Sequence, residues 1–227
     1  MRETLPLLMT SSVSTRGMKG ACFTCAEREE MYAGALDFYC DNLLDKNPGQ
    51  TIVFAENSGW DLSSLKRRVK PRHAGRVEFI ALQPEDFDIS KGKGYNELLM
   101  ITKAVEKSKF IGQAGAFFKV TGRYPIYNIG YFLNAAAKSL WRDGRDIYCD
   151  IKDHKIYDWL RLGWCGHSFD CRLFGVKTEY YLSQMAPHYT ECDDYNGSLL
   201  ENVLFKNVKN GGVEPRAGLN GSHISAA

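Results

Sequence analysis

Two short stretches of this 227-residue sequence set cations beside glycine. Lys91-Gly92-Lys93-Gly94 directly precedes an amphipathic run that begins Tyr95-Asn96-Glu97, and Lys119-Val120-Thr121-Gly122-Arg123-Tyr124 closes an apolar, aromatic run. Glycine lets a backbone approach a ligand closely, and a helix N-terminus turns free N–H groups toward an anion. A guanidinium takes phosphate oxygens two at a time. Both stretches therefore suit the holding of a diphosphate. The first is neither a Walker A loop nor a G-x-G-x-x-G fingerprint, and a solvated loop capping a helix stands beside the phosphate reading. For the second, the alternative is a structural ion pair between Arg123 and a neighbouring carboxylate.

The elements that must position these residues alternate. Leu7 to Thr10 reads as a first strand before a Ser/Thr/Gly loop, and Ala26 to Leu44 as a helix with Tyr32, Leu36, Tyr39 and Leu43 on one row. Asn47-Pro48-Gly49 stops it. Thr51–Ala55, Val77–Leu82 and Ala116–Val120 are apolar runs suited to interior strands of a parallel sheet. Between them fall a short helix from an Asp61 N-cap to Leu65 and a helix from Tyr95 to Lys107. Ile129–Leu140 reads as a helix, Asp146–Ile151 and Arg172–Val176 as strands, and Glu179–Met185 as a short helix. Ser198 and Glu201 match a capping box opening a last helix through Val208, which Asn210-Gly211-Gly212 ends. This order implies an α/β fold, a mostly parallel sheet with helices on both faces. Ligands in such sheets sit beyond the carboxyl ends of the strands. Thr10-Ser11-Ser12, Glu56-Asn57-Ser58-Gly59, the Lys91–Glu97 stretch and Thr121–Tyr124 all follow strands, so they are expected at one edge.

Composition narrows the function classes. A net charge of +2 does not fit a nucleic-acid binder. No apolar run is long enough for a membrane span, and the N-terminal apolar segment is too short and interrupted for a signal peptide. Seven cysteines without regular spacing read as reduced thiols of a cytoplasmic protein. Cys22 and Cys25 form a C-x-x-C, but a zinc site needs a second ligand pair, for which only Cys165 with His167, or Cys171, offers itself, and the five histidines show no metal-ligand spacing. Asp150-Ile151-Lys152-Asp153-His154 reads as a polar turn, with an acid/base cluster as the alternative. The basic run Lys66 to Arg72 reads as a solvated loop, with peripheral contact to anionic lipid as the alternative. The whole chain, 1–227, is expected to be one domain, with a poorly packed tail over 213–227.

With these motifs in place, the chain resembles the single-domain, Rossmann-like GT-A glycosyltransferases, in particular small bacterial enzymes of capsule and surface-polysaccharide biosynthesis. The resemblance runs from about Leu7 to Gly221. It lies in Thr10-Ser11-Ser12, Phe54 to Gly59, Lys91 to Glu97, Phe118 to Tyr124, and Asp194 with Gly197, Leu200 and Glu201. It implies a nucleotide-sugar donor on the half formed by 1–125 and a saccharide or lipid-linked saccharide acceptor on the half formed by 126–212. The donor residues it implies are Thr10, Ser11, Asn57, Ser58, Gly59, Lys93, Gly94, Asn96, Glu97, Lys119, Gly122 and Arg123. An inverting enzyme of this kind needs a carboxylate as general base, for which Asp194 comes first, then Asp193 and Asp170. Such enzymes carry an Asp-x-Asp for manganese or magnesium after the fourth strand, where this chain has Thr121-Gly122-Arg123. The expectation is therefore phosphate neutralisation by Lys93, Lys119 and Arg123, with no metal residues assigned. Two rival readings remain: a non-catalytic nucleotide-sugar binder, to which the missing Asp-x-Asp and the end of the chain soon after Glu214–Ser222 point, and a sugar-phosphate nucleotidyltransferase using Thr15 to Gly20.

Overall fold

The strand Leu7–Ser11 (β1) lies at the heart of a seven-stranded sheet and is buried along its whole length. In this computed structural model residues 4–19, 22–153, 159–160 and 167–208 are described, with the backbone of 213–215. Ile52–Glu56 (β2), Val77–Ala81 (β3), Ala116–Thr121 (β4), Ile147–Cys149 (β5), Ile151–Asp153 (β6), His167–Phe169 (β7), Leu173–Lys177 (β8) and Val213–Pro215 (β9) follow. The order across the sheet is β3-β2-β1-β4-β8-β5-β9, with β6 and β7 in a separate antiparallel pair. The pairs β3–β2, β2–β1, β1–β4 and β5–β9 are parallel, and β8 runs antiparallel between β4 and β5.

Side chains on a strand alternate between faces. Leu7, Met9, Ile52, Phe54, Phe118 and Val120 therefore share one core with Tyr32, Leu36 and Tyr39 of helix α1 (Cys25–Tyr39) and Phe132 and Leu133 of α5 (Ile129–Ala137). Leu8, Val53, Ala55 and Phe117 share the other with Leu98, Ile101 and Val105 of α3 (Lys93–Lys107) and Leu204 of the helix Leu200–Val208. Two apolar faces explain why the central strands carry unbroken hydrophobic runs. Two shorter helices, α2 (Ser63–Arg68) and α4 (Lys109–Ala114), complete the connections into β3 and β4.

Several expectations need correction. β3 is an edge strand rather than an interior one, and only two of its five residues are fully buried. The Asp146–Ile151 run divides at Asp150 into β5, which pairs with β8, and β6, which pairs with β7. Asp61 caps α2 from one position earlier than its usual N-cap place, accepting from Ser63 N at 3.0 Å. Ser198 does not open the last helix. Its backbone bridges to Asp193, and the helix hydrogen bonds start from the carbonyl of Leu199. Within the tail, Val213–Pro215 pairs with β5, while 216–227, His154, Cys165 and Asn210-Gly211-Gly212 lie outside the described residues.

The basic run has a structural use. Arg68 pairs with Glu30 at 3.0 Å and Asp37 at 2.8 Å, Lys70 with Asp41 at 2.5 Å, and Arg72 with Asp45 at 2.7 Å. The connection between β2 and β3 is thus laced onto the acidic face of α1 and the turn that continues it. Each exposed pair contributes little, about 0–1 kcal/mol, but together they fix the register of the two segments. Burial pushes the thiols of Cys40 to about 11 and Cys192 to about 12, so both stay protonated at neutral pH.

Two glycines test the packing against opposite expectations. A Cβ on Gly175 of β8 would lie 2.8 Å from the Ala136 Cβ of α5 and 3.2 Å from the Phe118 ring. Gly34, exposed on α1, has nothing within 4 Å of the same position. Gly175→Ala is expected to destabilise by about 1–3 kcal/mol, the scale of overpacking. Gly34→Ala is expected to leave stability unchanged or raise it by up to about 1 kcal/mol through helix propensity. Urea unfolding of both variants checks the pair of signs.

Candidate active site

The carboxyl ends of β1, β2 and β4 open into one cleft, walled on the far side by α3 and crossed by the loop that follows β1. Its framework is a buried carboxylate. Glu56, at the last position of β2, accepts from Val13 N at 3.1 Å, Ser58 N at 2.9 Å and Trp60 N at 3.2 Å, and from the Ser58 hydroxyl. Ser58 Oγ in turn accepts from Ser14 N at 2.9 Å, and Ser12 Oγ donates to Asn57 Oδ1 at 2.5 Å. One side chain thereby ties the loops after β1 and β2 together. A carboxylate accepting several N–H bonds is a strong organiser because charged acceptors make the stronger hydrogen bonds.

Most of the residues named from the sequence meet here. Thr10, Ser11, Asn57, Ser58, Lys93, Asn96, Glu97 and Arg123 line the cleft. The hydroxyls of Thr10 and Ser11 are already committed, to Val120 O at 3.3 Å and Ala55 O at 2.8 Å, so they brace strands at the cleft floor. Asn57 Nδ2 donates no hydrogen bond among the described residues and is open to a ligand. Gly59, Gly94, Lys119 and Gly122 stand outside the lining. Gly59, at φ +74°, turns against Pro84. Gly122 lets the chain after β4 pass over β1, where a Cβ would meet Thr10 O at 2.7 Å. Lys119 is fully buried behind the cleft, ion-paired with Glu97 and donating to Cys171 O at 2.6 Å.

The α3 terminus reads differently from its sequence. Asp194 Oδ2 accepts from Lys93 N at 2.6 Å and Gly94 N at 3.2 Å, so the helix N-terminus holds an anion of this chain itself. Gly92 has φ +89°, and a Cβ there would lie 2.6 Å from the Asp194 Cβ. The glycines of this motif thus admit Asp194 and Leu200, and the free N–H groups expected for a phosphate are occupied. Of the other carboxylates singled out, Asp193 pairs with Lys91 at 3.0 Å and accepts from Asn196 N at 3.3 Å, and Asp170 pairs with Arg172 at 2.8 Å. None of the three lines the cleft.

Arg123 lines the cleft just beyond the end of β4. No carboxylate lies within ion-pair distance of it among the described residues, its Nε is buried without a partner, and its guanidinium sits 4.9 Å from the centre of the Tyr124 ring. A second arginine joins it. Arg28 is buried on α1, donates from Nε to Ser12 O at 2.7 Å and from Nη2 to Tyr32 Oη at 3.2 Å, and has no carboxylate partner among the described residues. With Arg16 and Lys93, four cations among the described residues line the cleft against one carboxylate, Glu97, which Lys119 already pairs. Arg28 was legible in principle. It precedes Tyr32 by four residues on the buried row of α1, where a charge calls for an explanation. Among the described residues no three His, Cys, Asp or Glu side chains are grouped to hold a metal ion. Nor is any described helix long and apolar enough to cross a membrane.

No family model and no curated protein matches this sequence. Solved structures do match in shape. The galactosyltransferase LgtC, solved with donor and acceptor sugar analogues, superposes with a TM-score of 0.50 at 9% identity, over 92% of this chain and 72% of its own. A protein from Desulfovibrio desulfuricans G20 described as a nucleotide-diphospho-sugar transferase gives 0.51 at 10% identity, over 95% and 80%. The bifunctional glycosyltransferase WbbM gives 0.51 at 9% identity, over 94% of this chain and 38% of its own. The chain thus has the GT-A-like fold of nucleotide-sugar glycosyltransferases.

The Asp194 contact supplies a test of role. If Asp194 serves as the cap of α3, Asp194→Ala is expected to lower stability by about 0.5–2 kcal/mol, and Asp194→Ser, which keeps a capping oxygen, to recover part of it. Urea denaturation reads both. Equal stability of all three proteins would return Asp194 to the list of candidate bases.

Proposed function

We propose that this protein binds a nucleoside-diphosphate sugar in the cleft and transfers the sugar to a saccharide or lipid-linked saccharide acceptor. The observation that carries the reading is the unpaired Arg123, with its buried and partnerless Nε, at the point after β4 where a diphosphate would pass. The fold supports it, because LgtC, whose structure it resembles, is a galactosyltransferase solved with donor and acceptor sugar analogues. So does the cleft's charge, four cations to one already paired carboxylate. Asn57, on the loop that Glu56 holds, is suited to the base and ribose. Arg123, Arg28 and Lys93 are suited to the diphosphate. Charge on a leaving nucleoside diphosphate grows in the transition state, and fixed cations in a partly dehydrated cleft stabilise it there.

A divalent ion does not fit this site. The end of β4 offers a hydroxyl, a glycine and a guanidinium, and among the described residues the sole lining carboxylate faces an ammonium, whereas hard cations need several anionic oxygens. Metal-free neutralisation is thus part of the reading. A cytoplasmic place in surface-polysaccharide or glycoconjugate assembly completes the reading, and the described cysteines are free thiols.

A thermal-shift panel of nucleotide-sugars, followed by calorimetric titration of the matching nucleoside diphosphate, tests the reading. Binding is expected to be the same in EDTA and in manganese. Arg123→Ala is expected to weaken it by about 1.5–3 kcal/mol, the scale of a hydrogen bond to a charged group. Strong dependence on manganese, or normal binding by Arg123→Ala, would displace the phosphate site from β4. Binding without turnover of the donor would mark a non-catalytic sugar-nucleotide binder.

A further inference from the structure

The α3 wall of the cleft differs in kind from the others. Lys93, Asn96, Glu97 and Met100 recur at i, i+3, i+4 and i+7, so a single stripe of the helix faces the cleft. Asn96 Nδ2 donates to Asp88 O at 2.7 Å and to Gly92 O at 2.6 Å. Those two bonds fix the orientation of the amide and leave its oxygen as an acceptor. Asn96 is only 4% exposed, and Oδ1 is buried with no hydrogen-bond partner. On the next residue, Glu97 commits Oε1 to Lys119, and its Oε2 accepts no hydrogen bond among the described residues.

Beyond Lys93 this wall therefore offers acceptors and no donor. Phosphate oxygens cannot satisfy acceptors, and a carboxylate repels them. Hydroxyl hydrogens can satisfy both groups. The order of groups along the cleft also has a direction. Lys119 Nζ lies 3.4 Å from Thr121 Oγ1, so Glu97 is anchored beside the end of β4, next to the cations proposed for the diphosphate.

We propose that the α3 wall is the subsite for the transferred sugar, with Asn96 Oδ1 and Glu97 Oε2 accepting hydrogen bonds from hydroxyls of a neutral pyranose ring. This rests on the nucleotide-sugar reading of the cleft and adds the substrate class. A uronic acid at this position meets charge repulsion from Glu97. A sugar deoxygenated at the contacted carbon leaves a buried acceptor unmet, which an acceptor site rejects strongly.

The test compares each nucleotide-sugar with its own nucleoside diphosphate. UDP, UDP-glucose and UDP-glucuronic acid, and GDP with GDP-mannose, are titrated calorimetrically into the wild type, Glu97→Gln and the double variant Glu97→Gln/Lys119→Met. The double variant removes both members of the buried pair, so a folded protein is available even if the single variant is unstable. The expected result is that one neutral sugar nucleotide binds the wild type more tightly than its diphosphate. In the variants it weakens about tenfold, while the diphosphate stays within about twofold. Unchanged affinity for the sugar nucleotide in the double variant overturns the subsite. Equal weakening of sugar nucleotide and diphosphate overturns it too, while leaving the nucleotide-sugar reading standing. Failure of every nucleotide and nucleotide-sugar to bind the wild type overturns that reading and the subsite with it.

Discussion

A lysine ammonium with no solvent exposure is the constraint around which the cleft is arranged. Lys119 points from the middle of β4 into the face covered by α3, where its neighbours Phe117, Leu98 and Ile101 are apolar. An unpaired charge in such a place costs several kcal/mol, so the fold must bring it an anion. Glu97 is that anion, and the carbonyl of Cys171 just before β8 accepts a second hydrogen bond from the ammonium. The pair therefore joins β4, α3 and the start of β8. It also holds α3 in a rotation that turns Lys93, Asn96 and Met100 toward the cleft.

A second buried charge does the corresponding work on the other wall. Glu56 gathers N–H groups from the loops after β1 and β2, and the loops become one surface rather than two separate turns. Both carboxylates serve the molecule's own groups, and among the described residues no carboxylate pairs with Arg28 or Arg123. A folded protein rarely leaves a guanidinium partly dehydrated and unpaired unless something outside the chain completes it. The cations and the partnerless Asn96 oxygen lie in the same cleft, and they ask for opposite ligand groups: anionic oxygens for the one, hydroxyl hydrogens for the other. A sugar attached to a diphosphate carries both.

The glycine-lysine motif before α3 shows how one sequence can satisfy two physical explanations. Glycine beside a helix start suits a phosphate, and equally suits a carboxylate of the same chain. Asp194 comes from about one hundred residues further on, and its short side chain reaches Lys93 N and Gly94 N only because Gly92 and Gly94 carry no Cβ. Intramolecular anions hold a standing advantage in such a contest, because the loss of their translational freedom is already part of folding.

What the sequence determined on its own was whatever rests on local patterning. The unbroken apolar runs of β1, β2 and β4 required cover on both faces, and the alternation with helices required a mostly parallel sheet. That alone sent Thr10, Ser11, Asn57, Ser58 and Arg123 to one edge. What only the tertiary structure decided was which polar groups meet. Nothing near Glu56 in sequence announces that it will collect the N–H of Val13 from the loop after β1. Nothing near Asp194 announces α3, and Arg28 stands out only once α1 is seen to press its row against the sheet. Strand β3 reads as interior by its composition and proves to be an edge, because strand order is set by crossover packing and not by the strand's own residues. Hydrophobic burial is legible in one dimension because its period follows from backbone geometry. The pairing of charges and hydrogen-bond donors has no period, and it is settled by which segments the packed layers bring within about 3 Å of one another.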